Sequence, residues 1–373
     1  MFKNPQVLSE AALKESARIA AAQVLKLAPQ EQVLIITNPE GEAEIIARSL
    51  YNAAFDCLAS PVLIFQPVKT QFDFAEPTVI AAFEGRPQVV ISISKEKLGK
   101  DRKGIAKAYK YKDEEYDHIF HLLLYGEKSC RSFWSPSTRV ESFTRTVPID
   151  YTALERRCNA VSNILSAAKA VHVTSPAGTD IMAGLQGRTA KADDGDFSKP
   201  GKGGNLPAGE SFISPENGTA NGIIVFDGSI SINKGDILIQ KPIQCCFRDG
   251  FISEISGGAE AKALEETINQ AENDAKNYEK EGRLSKGKGD EYAKNARNLG
   301  ELGIGLNPAA RITGAMLEDE KAFRTCHFAI GHNYDNDAPA LIHLDGLVKE
   351  PTITALMPDG SSVIIEQNGE LKV

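Results

Sequence analysis

The chain has 373 residues, of which 42% are hydrophobic and 25% charged, with 50 acidic against 42 basic residues and a net charge of −8. This is the make-up of a folded globular protein, and at ~150 residues per domain it is enough for two domains; it excludes disordered, collagen-like and disulfide-knotted chains. The acidic balance argues against nucleic acid or an anionic membrane surface as a partner.

In chain order, Ser9 can cap a helix whose apolar positions Leu13, Ala17, Ala20, Val24 and Leu27 recur every three or four residues. QVLIIT (32–37) reads as a buried strand, and Asn38-Pro39 then opens a helix carrying Ile46, Leu50 and Ala53. PVLIF (61–65), QVVISI (88–93) and HIFHLLL (118–124) repeat the strand signal, and a further helix is expected from Tyr151 to Lys169. Strands spaced by helices predict an α/β N-terminal domain with a parallel, doubly wound sheet over residues 1–169. No GxGxxG follows the first strand and no GxxxxGK[ST] occurs, which disfavours a nucleotide site.

After residue 170 the texture changes. Strands become short and alternating, with DG turns at 227–228, 249–250 and 359–360 and NG at 368–369. FRDGFISEI (247–255) is hairpin-like, and one charged helix is expected over roughly 259–281. Residues 170–373 are therefore expected to form an α+β C-terminal domain with largely antiparallel strands.

The six cysteines include no CxxC, and Cys245 and Cys246 are adjacent, so neither a disulfide framework nor a zinc ribbon is expected. The N-terminal sequence lacks the apolar run of a signal peptide, and no stretch approaches the ~20 apolar residues of a membrane span. A soluble, cytoplasmic protein is the expectation. With only six histidines, any metal site must draw on carboxylates.

Three segments carry such groups. GGNLPAGE (203–210) delivers Glu210 at the start of a strand, behind residues that allow close backbone approach. In LGELGIGLNP (299–308), strand alternation puts Glu301, Gly303 and Gly305 on one face and Leu302, Ile304 and Leu306 on the other. Glycines inside a strand weaken it and mark the close approach of a backbone or ligand. In TCHFAIGHNY (325–334), His327 alternates with Ala329 and Gly331; in ALIHLDGL (340–347), His343 and Asp345 project to one side. A lone glutamate or histidine is ordinarily a solvated or core residue, but two imidazoles with a co-facing carboxylate suit a divalent metal. Since one catalytic ion needs about three protein ligands, Glu210, Glu301, His327, His343 and Asp345 suggest two ions with a bridging carboxylate and hydroxide, and hydrolysis of an amide or ester. His332 reads as a loop residue near the site, and Tyr334 as a half-buried phenol or a donor within it.

These segments resemble the aminopeptidase T family of metallo-aminopeptidases, also called leucyl aminopeptidases. The resemblance rests on NLPAGE ending at Glu210, GELGIGLNP with Glu301, CHFAIG with His327, Tyr334, and HLDG with His343 and Asp345, with SPAGTDI (175–181) and FDGSIS (226–231) in support. It implies a two-domain homodimer with an α/β N-terminal domain, whose C-terminal domain carries a dinuclear metal centre. Its activity would be that of a metalloprotease, a hydrolase releasing the N-terminal residue of small peptides or aminoacyl substrates. By that resemblance Glu210, Glu301, His327, His343 and Asp345 would ligate two divalent ions (Zn, Co, Mg or Mn), and Tyr334 would stabilise the oxyanion. His343 follows His327 by only 16 positions, which looks shorter than in typical members. A related branch of the same fold consists of Fe-dependent ring-cleaving dioxygenases of dihydroxypyridines, which resemble this site through the set His327, His343 and Asp345. That alternative implies one iron in place of two divalent ions.

Overall fold

The apolar runs of the first half assemble a five-stranded sheet in which every pair is parallel. The computed structural model describes residues 5–373 except 40, 71 and 72, with side chains from residue 10 onward. Strand Gln32–Thr37 lies inside the sheet, buried from Val33 onward, between Ser60–Phe65 and Val89–Ile93; Arg131–Trp134 and Gly203–Asn205 extend the latter side. A central parallel strand is covered on both faces, which is why QVLIIT shows no polar alternation.

Three local expectations change. The first helix, Pro5–Ile19, begins upstream of Ser9, whose side chain lies outside the described residues. Asn38 is buried and ties two loops together, donating to the Gln66 carbonyl and accepting from Lys95 N–H. HIFHLLL is helical, as Ile119–His121 followed by a wider turn over Leu122–Gly126. A short apolar run does not separate a buried strand from a buried helix; here side chains decide, because His118 Nδ1 accepts from Phe120 N–H and Asp101 Oδ2 from Ile119 N–H. The strand expected there is Arg131–Trp134, whose Arg131 is held by both Glu31 oxygens at 2.7 Å.

The chain divides into two units, Met1–Glu155 with Gly195–Ala208 and Arg156–Asp194 with Gly209–Val373. In place of one boundary after residue 169, the division falls inside helix Tyr151–Ala167, and 195–208 returns to the first unit to supply its last parallel strand.

Both larger sheets of the second unit are antiparallel. A seven-stranded sheet runs, neighbour to neighbour, Gly235–Leu238, Ser229–Ile232, His343–Lys349, Thr325–Gly331, Leu299–Gly305, Glu210–Ile213 and Lys191–Asp193. An eight-stranded sheet includes Asn221–Phe226, Ala170–Thr174 and Ser362–Gln367. The sheets meet through the first one's apolar face: the Phe226 ring lies against Gly346, and the Cys326 thiol faces Glu366. Helix Ala259–Lys280 turns Leu264, Ile268, Ala271 and Ala275 inward. No helix among the described residues is long and apolar enough to cross a membrane.

Candidate metal centre

The other face of the seven-stranded sheet carries the acids and imidazoles. Residues paired across antiparallel strands project to the same face, and the register sets them in rows. Asp193, Glu210 and Gly305 form one row; Phe212, Gly303, His327 and Leu347 the next; Glu301, Ala329 and Asp345 a third; Gly331 and His343 a fourth. Each long ligand side chain thus has a glycine or alanine beside it. A Cβ on Gly303 would stand 2.0 Å from His327 Nε2, so the absent side chain is the space the imidazole occupies. Gly209 adopts φ +126°, with Asn307 packed where a Cβ would go, and its carbonyl accepts from Leu306 N–H. That conformation favours glycine and delivers Glu210 onto the strand.

All five candidate ligands converge. His327 Nε2 lies 3.1 Å from Glu301 Oε1 and 3.5 Å from Glu210 Oε2; His343 Nε2 lies 3.3 Å from Asp345 Oδ1 and 3.7 Å from Glu301 Oε2. The Glu301 carboxylate therefore stands between the two imidazoles, one oxygen to each. Among the described residues, three overlapping groups each gather ligand atoms within 4.8 Å: Glu210, Glu301 and His327; Glu301, His343 and Asp345; Glu320, His327 and Asp345. The backbone carbonyl of His332 accepts from His343 Nδ1 at 2.8 Å, which fixes the tautomer and turns Nε2 toward the carboxylates. His332 thus contributes to the site through its main chain.

Burial dominates the electrostatics. Glu210, Glu301 and His327 are at most 7% exposed. Burial pushes the Glu301 carboxyl up, although both imidazoles pull it down. Burial also opposes charge on the imidazoles, but the carboxylates prevail, raising His327 to about 9 and His343 to about 10. The same contest leaves Asp345 at about 2, because the His343 charge outweighs burial. A metal ion bound there would displace protons from the imidazole nitrogens it ligates.

Tyr334 packs its ring 5.0 Å from that of His343 and 5.3 Å from that of Phe212, with Lys191 Nζ 5.3 Å from the Tyr334 ring and 5.9 Å from the Phe212 ring. Its loop is pinned by Arg188, which pairs with Asp335 at 3.2 Å and Asp337 at 2.9 Å.

Three further members carry no recognisable signal in the sequence. Lys321 is fully buried, its Nζ 2.6 Å from Glu210 Oε1, 2.5 Å from Glu320 Oε1 and 3.8 Å from Asp193 Oδ2. Burial works against its charge, but these three carboxylates outweigh it and hold the ammonium above its ordinary value. Burial pushes Glu320 up to about 8 and raises Asp193 well above the usual carboxylate range. In sequence, Lys321 ends the run LEDEK, which reads as a solvated charged surface. The remaining histidines have other partners: His118 caps its helix, His172 pairs with Asp180 at 2.7 Å, and His121 stands 3.8 Å from Asp117.

Residues 137–330 match the family model described as "NicX: 2,5-dihydroxypyridine 5,6-dioxygenase". A curated 2,5-dihydroxypyridine 5,6-dioxygenase of Pseudomonas putida KT2440 is 29% identical over 171 residues, covering 44% of this chain and 41% of that protein. The match thus spans under half of the relative's length. Among solved structures, that of 2,5-dihydroxypyridine dioxygenase from Pseudomonas putida KT2440 superimposes with a TM-score of 0.70, covering 98% of each chain at 18% identity. Wild-type AmpT from Thermus thermophilus gives 0.65 at 18% identity, covering 97% of this chain and 99% of that one. The α/β plus antiparallel architecture is shared with both. The resemblance to aminopeptidase T therefore holds for the fold. The activity drawn from it does not: the family model and the curated relative are dioxygenases, which overturns the reading as a hydrolase, a peptidase and a protease. Carboxylates and imidazoles on a sheet face serve an oxygenase as well as a hydrolase, so the donor set alone does not separate the two.

Proposed function

Because the chain belongs to the 2,5-dihydroxypyridine 5,6-dioxygenase family, we propose that it opens the ring of a dihydroxypyridine between carbons 5 and 6, with dioxygen as co-substrate and one divalent iron as cofactor. The observation that carries this reading is the meeting of His327 and His343 over Glu301 and Asp345 beside an aromatic wall. Two imidazoles and a carboxylate are the donor set of non-haem iron oxygenases. The donors also fit a cation by what they lack: Glu210 Oε2 and Glu301 Oε2 are buried without a hydrogen-bond partner among the described residues. Buried, unsatisfied carboxylate oxygens are costly unless something positive meets them.

His327, His343 and Asp345 would hold the ion, with Glu301 between the imidazoles. An iron bound there supplies the redox chemistry that lets dioxygen react with an aromatic ring. The rest is the work of the chain. Phe212 and Tyr334 offer a wall against which a planar ring can pack, by offset or edge contacts. Lys191, beside both rings, draws an oxyanionic substrate toward that wall. The Tyr334 hydroxyl can donate to a ring oxygen and orient it. The His332 carbonyl keeps His343 Nε2 facing the reacting centre.

The test is direct. Protein loaded anaerobically with Fe(II), then given 2,5-dihydroxypyridine and dioxygen, should bleach the ring absorbance with one dioxygen consumed per ring. With ¹⁸O₂, both labelled atoms should appear in the opened product. Persistence of the ring with the ferrous protein in air overturns the assignment.

A further inference from the structure

Lys321 is the one fully buried lysine among the described residues, and it stands inside the acid cluster. Its ammonium contacts Glu210 and Glu320 at hydrogen-bond distance and approaches Asp193. These contacts fall unevenly on the three groups able to hold an ion. The group of Glu210, Glu301 and His327 shares Glu210 with Lys321, and the group of Glu320, His327 and Asp345 shares Glu320 with it. The group of Glu301, His343 and Asp345 shares no acid with it.

A monocation bound to an acid repels a dication seeking that same acid, and inside a protein this repulsion is far stronger than in water. One of the two oxygens of Glu210 is already engaged. The positive charge needed to offset the Asp193, Glu210 and Glu320 side of the cluster is thus built into the chain, while the Glu301, His343 and Asp345 side is left to an external ion.

We propose that Lys321 sets the metal stoichiometry of this centre: its ammonium takes the place of a second divalent ion at Glu210 and Glu320 and leaves a single ion to the His343 and Asp345 side, which His327 meets across Glu301. This rests on the one-iron reading above and assigns the residue that enforces it. Lys321 is a positioning residue here, acting through Glu210 and Glu320.

The test counts ions and needs no turnover. Metal-free wild-type protein is titrated with Mn(II), a redox-stable probe, and bound metal is counted by equilibrium dialysis and elemental analysis. Wild type should saturate at one Mn(II) per chain. Lys321→Met, and Lys321→Gln as a second variant that keeps a neutral donor for both glutamates, should saturate at two. Two ions, or none, in the wild type overturn the one-ion reading and this inference with it. One ion in the wild type and one in either folded variant overturn the inference alone. Since the second ion replaces the lost charge, the variants' melting temperatures should keep rising through a second equivalent of Mn(II), where the wild type levels off after one. Variants that fold at no Mn(II) concentration also overturn the inference.

Discussion

Gly303 and His327 stand opposite each other on neighbouring strands, and the imidazole fills the position of the side chain that Gly303 lacks. Gly303→Ala should therefore displace the buried His327 imidazole from its place in the row. Overpacking of this kind costs roughly 1–3 kcal/mol of stability, so the variant should still fold. Its Mn(II) affinity should drop by roughly 10-fold or more, as when a ligand loses its orientation. Calorimetric titration beside thermal melts separates the two effects; wild-type affinity in the folded variant would refute the geometry.

The loop that carries Tyr334 is held from outside the metal centre. Arg188, with a side chain 11% exposed, clamps Asp335 and Asp337 on either side of Asn336. Arg188→Ala should free the Tyr334 ring from His343 while leaving the ligands in place. KM for the ring substrate is expected to rise by roughly 10-fold, on the scale of misplaced positioning groups, with metal content unchanged. A fall in bound metal would instead tie the loop to the metal.

Phe212 shares a row with Gly303 and His327, and its ring meets that of Tyr334. Phe212→Leu keeps an apolar side chain but loses ring contact worth roughly 0.5–1.5 kcal/mol. KM should rise roughly 2- to 10-fold, with kcat nearly unaltered. An unchanged KM means that the substrate ring does not rest there.

Glu366 lies in the core of the second unit, fully buried, and neither carboxylate oxygen has a hydrogen-bond partner among the described residues. Burial raises it from 4.5 to about 8, against the opposing charge of Arg324. The folded chain then keeps a proton that the unfolded chain releases, so stability falls as pH rises between these two values and levels off above the higher. At ~1.4 kcal/mol per unit the loss amounts to a few kcal/mol. Glu366→Gln should flatten this slope in urea unfolding at pH 5 and pH 8.5. Parallel pH dependences for the two proteins would refute it.

Much of the site was legible because a sheet face repeats every second residue. Glu301, Gly303 and Gly305, or His343 and Asp345, declare a shared face by spacing alone. The gap-filling role of Gly303 needed the register with His327, which no single segment contains. Lys321 was invisible because its partners Asp193 and Glu210 lie over 100 residues away, while its neighbours in LEDEK suggest solvent. HIFHLLL has the pattern of a strand, and the groups that cap its helix include Asp101, 18 residues upstream of Ile119. The parallel sheet of the first unit was legible where strands were wholly apolar, and not at Arg131–Trp134, where a buried arginine breaks the pattern. Activity was the least legible, since the ligand types are common to hydrolytic and oxidative centres.

The tautomer of His343 is fixed by a peptide carbonyl and not by a side chain. Replacing the His332 side chain leaves that carbonyl where it is, so point substitution there has little purchase on the imidazole. Insertion or deletion within 333–342 would move it. The heritable vulnerability of this histidine thus lies in the length of the connecting segment, and lineages altering the centre through this contact would do so by gaining or losing residues there.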